Sequence, residues 1–243
     1  MKSKILIVFS LFVYVLNAQT IADKKVTWDF PVKRGTEEWK KFKNNEEKVN
    51  ACQIPENIIS SLSTEKLTDI CLQYPLLYDI FAFNDMNEGI DNLFNDFNGI
   101  RELFKREQVS KELLKRYQEK IQNLSFLDKT DSSAERGLFI ISISALEVLL
   151  CRYQLQTNAT KENYKEILQN LVNGYEKKIM YVDEFRGFGL QTNFFSRAHV
   201  ITKINEQFLE KLPQRNKNAV LISGMADEQS IRMIDELSYQ LIK

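Results

Sequence analysis

No proline occurs between Pro75 and Pro213, a stretch of more than half the 243 residues, and the whole chain holds only 8 glycines. Proline and glycine punctuate sheets and tight turns, so a long stretch without the first and poor in the second favours α-helix, the one conformation that satisfies backbone groups within a segment. Side chains that start helices recur along it. Ser132 stands three positions before Glu135 as a capping box, and Thr160 and Asp227 are further N-cap residues. Upstream, Thr36 precedes the acidic pair Glu37 and Glu38, Ser63 or Thr64 precedes another periodic stretch, and Ser110 precedes a third. Pro55 suits the first turn of a short helix, where its missing N–H costs little.

The apolar spacing agrees. Ile90, Leu93, Phe94, Phe97, Ile100, Leu103 and Phe104 predict one helix over Asn87–Arg106, and Leu113, Leu114, Tyr117 and Ile121 predict the next. Leu138 to Tyr153 is apolar nearly all round, which places it at the centre of the fold; the rival reading is a buried strand over Leu138–Ile143. Further helices run from Thr160 to about Tyr181, from Gly189 to Leu212, and from Asp227 through Ile231, Ile234, Leu237 and Leu241. Ala219–Ile222 is short and apolar and could pair as a strand with the N-terminal segment. The expected fold is all-α: a single-domain bundle of nine or ten helices over 36–243, with at most one short β pairing.

The first residues read differently. Lys2 and Lys4 precede an apolar run from Ile5 to Leu16, broken only by Ser10 and closed by Asn17-Ala18-Gln19. That is the layout of a secretory signal peptide over residues 1–18. The run is short of the roughly 20 residues a bilayer-crossing helix needs. The alternative is a retained N-terminal anchor. Cleavage implies an exported protein, periplasmic or extracellular, with no membrane insertion afterwards. Over residues 19–35 an extended arm is expected, because Val26, Trp28, Phe30 and Val32 alternate and Pro31 restricts the segment to an edge strand or polyproline-like path.

Composition excludes several chemistries. With 33 basic and 33 acidic residues the formal net charge is zero, so no global field attracts nucleic acid. One histidine and 3 cysteines do not assemble a standard structural zinc site or an iron–sulfur cluster, and no metal or other cofactor is expected. Phosphate-binding glycine loops, His-Glu-x-x-His and G-x-S-x-G are missing. The Asn/Asp-rich stretch Asn84–Gly99 does not register as an EF-hand: with Gly89 as the loop glycine, Met86 takes a ligand position, and with Gly99, Phe94 does. For an exported chain, Cys52 and Cys71 are close enough in sequence to be bridged; the alternative is three buried thiols.

The remaining candidates are few. Glu147 lies inside the most apolar stretch, where a carboxylate is desolvated unless a base partners it. Paired with Asp183 or Glu184 it would resemble the two carboxylates of a glycoside hydrolase; the alternative is a structural ion pair with Arg152, Arg136 or another helix. Arg186 and Phe188 sit in the glycine-containing loop Asp183-Glu184-Phe185-Arg186-Gly187-Phe188-Gly189 and could present a ring and a cation to a ligand. His199, in Arg197-Ala198-His199-Val200, is a further binding candidate and the one histidine a Ser–His–acid triad would have to use; the simpler reading is a surface or core-edge histidine. The segments Ala51-Cys52-Gln53-Ile54-Pro55 and Cys71-Leu72-Gln73-Tyr74-Pro75-Leu76, with the leader and aromatic arm, resemble uncharacterised exported helical proteins of bacteria over residues 36–125, a resemblance that implies no activity. The sequence therefore favours a binding protein for a protein or glycan partner over a carbohydrate- or peptidoglycan-directed hydrolase.

Overall fold

The structure, a computed structural model, describes residues 28–152, 159–212 and 214–243. The leader expected over residues 1–18 and the start of the arm lie outside the described residues. Among those described the fold is all-α, with no strand and nine helices of seven or more residues. In chain order the helices are α1 Glu37–Lys40, α2 Asn45–Ala51, α3 Glu56–Ile59, α4 Thr64–Leu72, a 3-10 segment Leu77–Ala82, α5 Met86–Asp96, α6 Asn98–Leu103, α7 Val109–Gln122 and α8 Phe126–Lys129. They continue with α9 Ser133–Cys151, α10 Lys161–Ile179, α11 Val182–Phe185, α12 Phe188–Ile204, α13 Phe208–Lys211, α14 Gln214–Ser223 and α15 Glu228–Leu241.

Helix starts follow the capping chemistry. Thr36, Ser63, Ser132 and Asp227 each accept a backbone N–H with the side-chain oxygen, and Thr160 with Asn163 forms a complete capping box. At Ser132 the box is only half made, because the Glu135 carboxylate accepts from Thr130 Oγ1 at 2.6 Å instead of turning back to the cap. Ser110 caps nothing: α7 begins one residue earlier, after Gln108. Ala219–Ile222 belongs to α14, so the short β pairing does not form.

The central element is a pair of helices. Helix α9 is buried continuously from Ile143 to Cys151, whereas its first turns, including Leu138, face outward. It packs against α12, which in turn packs against α10, α14 and α15, while α7 closes the other side of α9 and α10. Each apolar side chain that α9 seals contributes roughly 1.5–3 kcal/mol by removal from water.

The N-terminal layer corrects one expectation. The helix expected over Asn87–Arg106 breaks at Phe97, whose backbone is extended (φ −117°, ψ 116°). Gln53 supplies both severed ends: its carboxamide nitrogen donates to the Asp96 carbonyl at 2.8 Å and its oxygen accepts from Asn98 N–H at 3.1 Å. Asn98 reciprocates on the Ile54 backbone, accepting from its N–H at 3.0 Å and donating to its carbonyl at 2.7 Å. The break turns the Phe97 ring flat onto Tyr74, with centroids 4.0 Å apart, and Phe30 of the arm is buried against both rings. Gly89 is required here, since a Cβ would strike the Ile80 backbone carbonyl where α5 crosses the 3-10 segment.

All three cysteines are free and buried, which is the buried-thiol reading and leaves Cys52 and Cys71 unbridged. Burial pushes the Cys52 thiol up to about 11 and Cys151 to about 12, and raises Cys71 as well, so none is poised as a nucleophile.

Candidate functional site

Glu147 is at the centre of the molecule. Its side chain and that of Lys178 are both 0% exposed, and Lys178 Nζ donates to Glu147 Oε1 at 2.6 Å. The same oxygen accepts from Tyr117 Oη at 2.9 Å and Asn193 Nδ2 at 2.8 Å, while Oε2 accepts from Thr192 Oγ1 at 2.8 Å. Lys178 also donates to the Gly189 carbonyl at 2.8 Å and lies 5.2 Å from the centre of the Phe185 ring. Four donors from α7, α10 and α12 thus fill a carboxylate that offers about four acceptor positions. Burial holds the Lys178 ammonium below its usual range, against the opposing pull of Glu147, and pushes the Tyr117 phenol well up, with the Glu147 charge adding to the rise. A Cβ on Gly174 would meet the Tyr117 hydroxyl, so the bare turn of α10 is what lets Tyr117 reach in.

This geometry removes the basis of the carboxylate-pair hydrolase. A general acid must reach substrate, and Glu147 is sealed with every oxygen engaged. Its partner is neither Arg152, which pairs with Asp91, nor Arg136, which pairs with Glu184. Asp183 is exposed and pairs with Arg186 three residues on. Phe188 is half-buried and meets Phe81 edge to face, with ring centres 4.6 Å apart. His199 lies at the core edge, with its ring 4.3 Å from that of Phe195 and Nε2 3.0 Å from the Leu221 carbonyl; burial lowers its pKa. The residues weighed from the sequence therefore do not converge on one site. Among the described residues no group of three or more His, Cys, Asp or Glu side chains is arranged to hold a metal ion, and no helix is long and apolar enough to cross a membrane.

A surface feature absent from the sequence reading takes their place. Between the end of α4, the 3-10 segment, α7 and the outer turns of α9 runs an open groove of about 640 Å³, with Leu72, Tyr78, Leu138, Phe139 and Leu146 in its walls. Leu138 stands 57% exposed at its edge. Lys120 reaches across it, its ammonium 5.1 Å from the centre of the Phe139 ring, and burial lowers its pKa. Arg116, also in the wall, is committed to Asp69 at 2.8 Å; Lys120 has no ion pair among the described residues. A desolvated cation on an aromatic face beside apolar walls accepts an anionic group carried on an apolar body.

Two sequence signals marked these groups. Lys178 continues the alternating 4-and-3 spacing of Tyr164, Leu168, Leu171 and Tyr175, which puts a lysine on an apolar stripe. Leu138 stands next to the buried Phe139 on the first turns of a helix too apolar to be covered on all sides. Comparison with protein families, curated proteins and solved structures gives no match for this chain.

Proposed function

We propose that this chain is an exported binding protein and that its partner is a polypeptide segment carrying apolar side chains and an acidic group, docked in the groove beside Lys120. The observation that carries this reading is the lone Lys120 ammonium over Phe139 in a wall of Leu72, Leu138 and Leu146. The wall is half polar, but its carboxylates are engaged, Glu119 beside Arg116 at 4.0 Å and Glu135 by Thr130 Oγ1 at 2.6 Å, and its three leucines suit the apolar side chains of a peptide better than a glycan. Export is supported by Lys2, Lys4 and the apolar stretch ending at Ala18; the exported form then begins at Gln19, which intact-mass measurement of secreted material checks.

Peptides selected from a random display library on the chain test the site. Those recovered are expected to combine apolar residues with Asp or Glu, and Lys120→Glu or Leu138→Asp should weaken them at least tenfold. Leu138 is exposed, so Leu138→Asp should leave the melting temperature near that of the unaltered chain; Lys120 is half-buried, and melting of Lys120→Glu separates lost binding from lost folding. Selected peptides that bind a Lys120→Glu/Leu138→Asp variant equally well, or oligosaccharides that compete for the groove, would overturn the reading.

A further inference from the structure

A second and separate pocket, of about 270 Å³, opens between the 3-10 segment, α5 and the start of α2. Its apolar wall is Leu76, Ile80 and Leu93, and its polar side holds Asp79, Asp96 and Asn92. Asp79 is engaged by Arg34 from the arm at 2.7 Å, so Asp96 is the carboxylate there with no ion pair among the described residues. Asn92 donates its Nδ2 to the Glu88 carbonyl at 2.9 Å, which leaves its oxygen as an acceptor. An acidic rim is not by itself a site. A second observation comes from Tyr74, which lines the pocket, is 3% exposed, and carries a buried hydroxyl without a hydrogen-bond partner among the described residues. Its ring stacks flat on Phe97 at 4.0 Å and packs against Phe30 at 5.9 Å, which holds the side chain in place. Burial raises its pKa, and Cys52, Asp96 and Asp79 add to the rise.

We infer that this pocket binds a primary ammonium carried on a short aliphatic chain. Such a group has three N–H donors, and the pocket offers it the Asp96 carboxylate, the Tyr74 hydroxyl oxygen and the Asn92 carbonyl oxygen, while Leu76, Ile80 and Leu93 cover the methylenes. A divalent metal ion is the poorer fit, because the pocket has one uncommitted carboxylate and an aliphatic wall that would face the ion. A volume at the low end for ligand pockets limits the occupant to a few heavy atoms. The ammonium could come from a free alkylamine or from a lysine side chain, which carry the same chemistry.

Calorimetric titration of the full chain with n-butylammonium chloride tests the site, with n-butanol, calcium chloride and Nα-acetyl-lysinamide as parallel arms. Saturable binding is expected for n-butylammonium and none for butanol or calcium. Binding by acetyl-lysinamide would assign the site to lysine side chains, and its failure beside successful butylammonium binding would assign it to free amines; both support the pocket chemistry. Asp96→Asn should weaken n-butylammonium at least tenfold and Tyr74→Phe several-fold. Because Tyr74→Phe removes a buried hydroxyl that has no protein partner, its melting temperature should hold or rise, which separates lost binding from lost folding. No saturable binding of either ammonium at millimolar concentration, equal binding by Asp96→Asn, or butanol binding as well as the amine would overturn the inference.

Discussion

Lys178→Met is expected to cost about 3–5 kcal/mol at neutral pH, because it leaves the Glu147 carboxylate in the core without a cation. For a domain of this size that corresponds to a fall of roughly 6–20 °C in melting temperature. Glu147→Gln should cost a comparable amount by stranding the ammonium, and the two variants should respond to pH in opposite senses. In Lys178→Met the buried carboxyl has a folded pKa raised above its unfolded value of about 4.3. The folded chain then holds that proton more tightly, so stability is highest in acid and is lost as pH rises through the folded value. The melting deficit relative to the unaltered chain should shrink from pH 8 to pH 5. In Glu147→Gln the lysine, already lowered by burial, loses the carboxylate that opposed that shift. Its folded pKa lies further below the unfolded value of about 10.4, so stability rises with pH toward that value, and the deficit should shrink from pH 7 to pH 9.5. The double variant should recover much of the loss, since the glutamine oxygen still accepts from Tyr117 and Asn193 and no charge stays buried. Flat pH profiles, or double-variant losses equal to the sum of the single ones, would show that the pair is not sealed.

The helical class, most caps and the centrality of α9 were legible because each depends on residues close together in sequence. Thr160 and Asn163 are one turn apart, and Ile143 to Cys151 is a single apolar block. What was not legible depended on partners far along the chain. The break at Phe97 is held by Gln53, more than forty residues away, and nothing in the apolar stripe from Ile90 to Phe104 signals it. Helix α12 is buried as fully as α9, yet Thr192, Asn193, Ser196 and Arg197 give it a mixed pattern. Their polarity faces Glu147 and α15 and not water, and a hydropathy pattern does not separate those two destinations. The same limit applied to Glu147. Its burial followed from its neighbours, but its partner Lys178 on α10 did not, and with that partner unseen a catalytic acid and a structural pair looked alike. The groove is not legible in the sequence because grooves form between elements: Lys120 and Phe139 meet only once α7 and α9 are packed.

Arg197→Met should detach the C-terminal helix in preference to the rest of the fold, at a cost of about 2–4 kcal/mol. The guanidinium is wholly buried on α12 and makes most of its bonds to α15: Nη2 to Asp235 Oδ1 at 2.7 Å, with Nε and Nη2 to Ser238 Oγ at 3.1 and 2.8 Å. Its face also lies 5.0 Å from the centre of the Tyr175 ring on α10, so one side chain joins three helices. Helix α15 fully buries only two apolar side chains, Ile234 and Leu237, with Ile231, Met233 and Leu241 half-buried against the core and Tyr239 Oη donating to Glu176 at 2.7 Å, so the Arg197 bonds are a large part of its attachment. Methionine keeps the packing of the arginine stem and removes the bonds. Hydrogen bonds to a charged group are worth about 1.5–3 kcal/mol, and part of that is returned by no longer burying the cation. The groups left behind are not stranded: Ser238 Oγ still donates to the Ile234 carbonyl at 2.6 Å, and Asp235 is partly open to water. The loss therefore falls on the attachment of α15. In hydrogen exchange, amides of Glu228–Leu241 should lose protection by a factor of about 30–1000, the range corresponding to 2–4 kcal/mol, while those of Ile143–Cys151 keep theirs. Equal loss of protection in α9 and α15 would mean that Arg197 supports the whole core, and unchanged protection of α15 would mean that its apolar contacts alone suffice. Either result would separate the fold from the account of α12 as a polar axle joining α10 to the C-terminal helix.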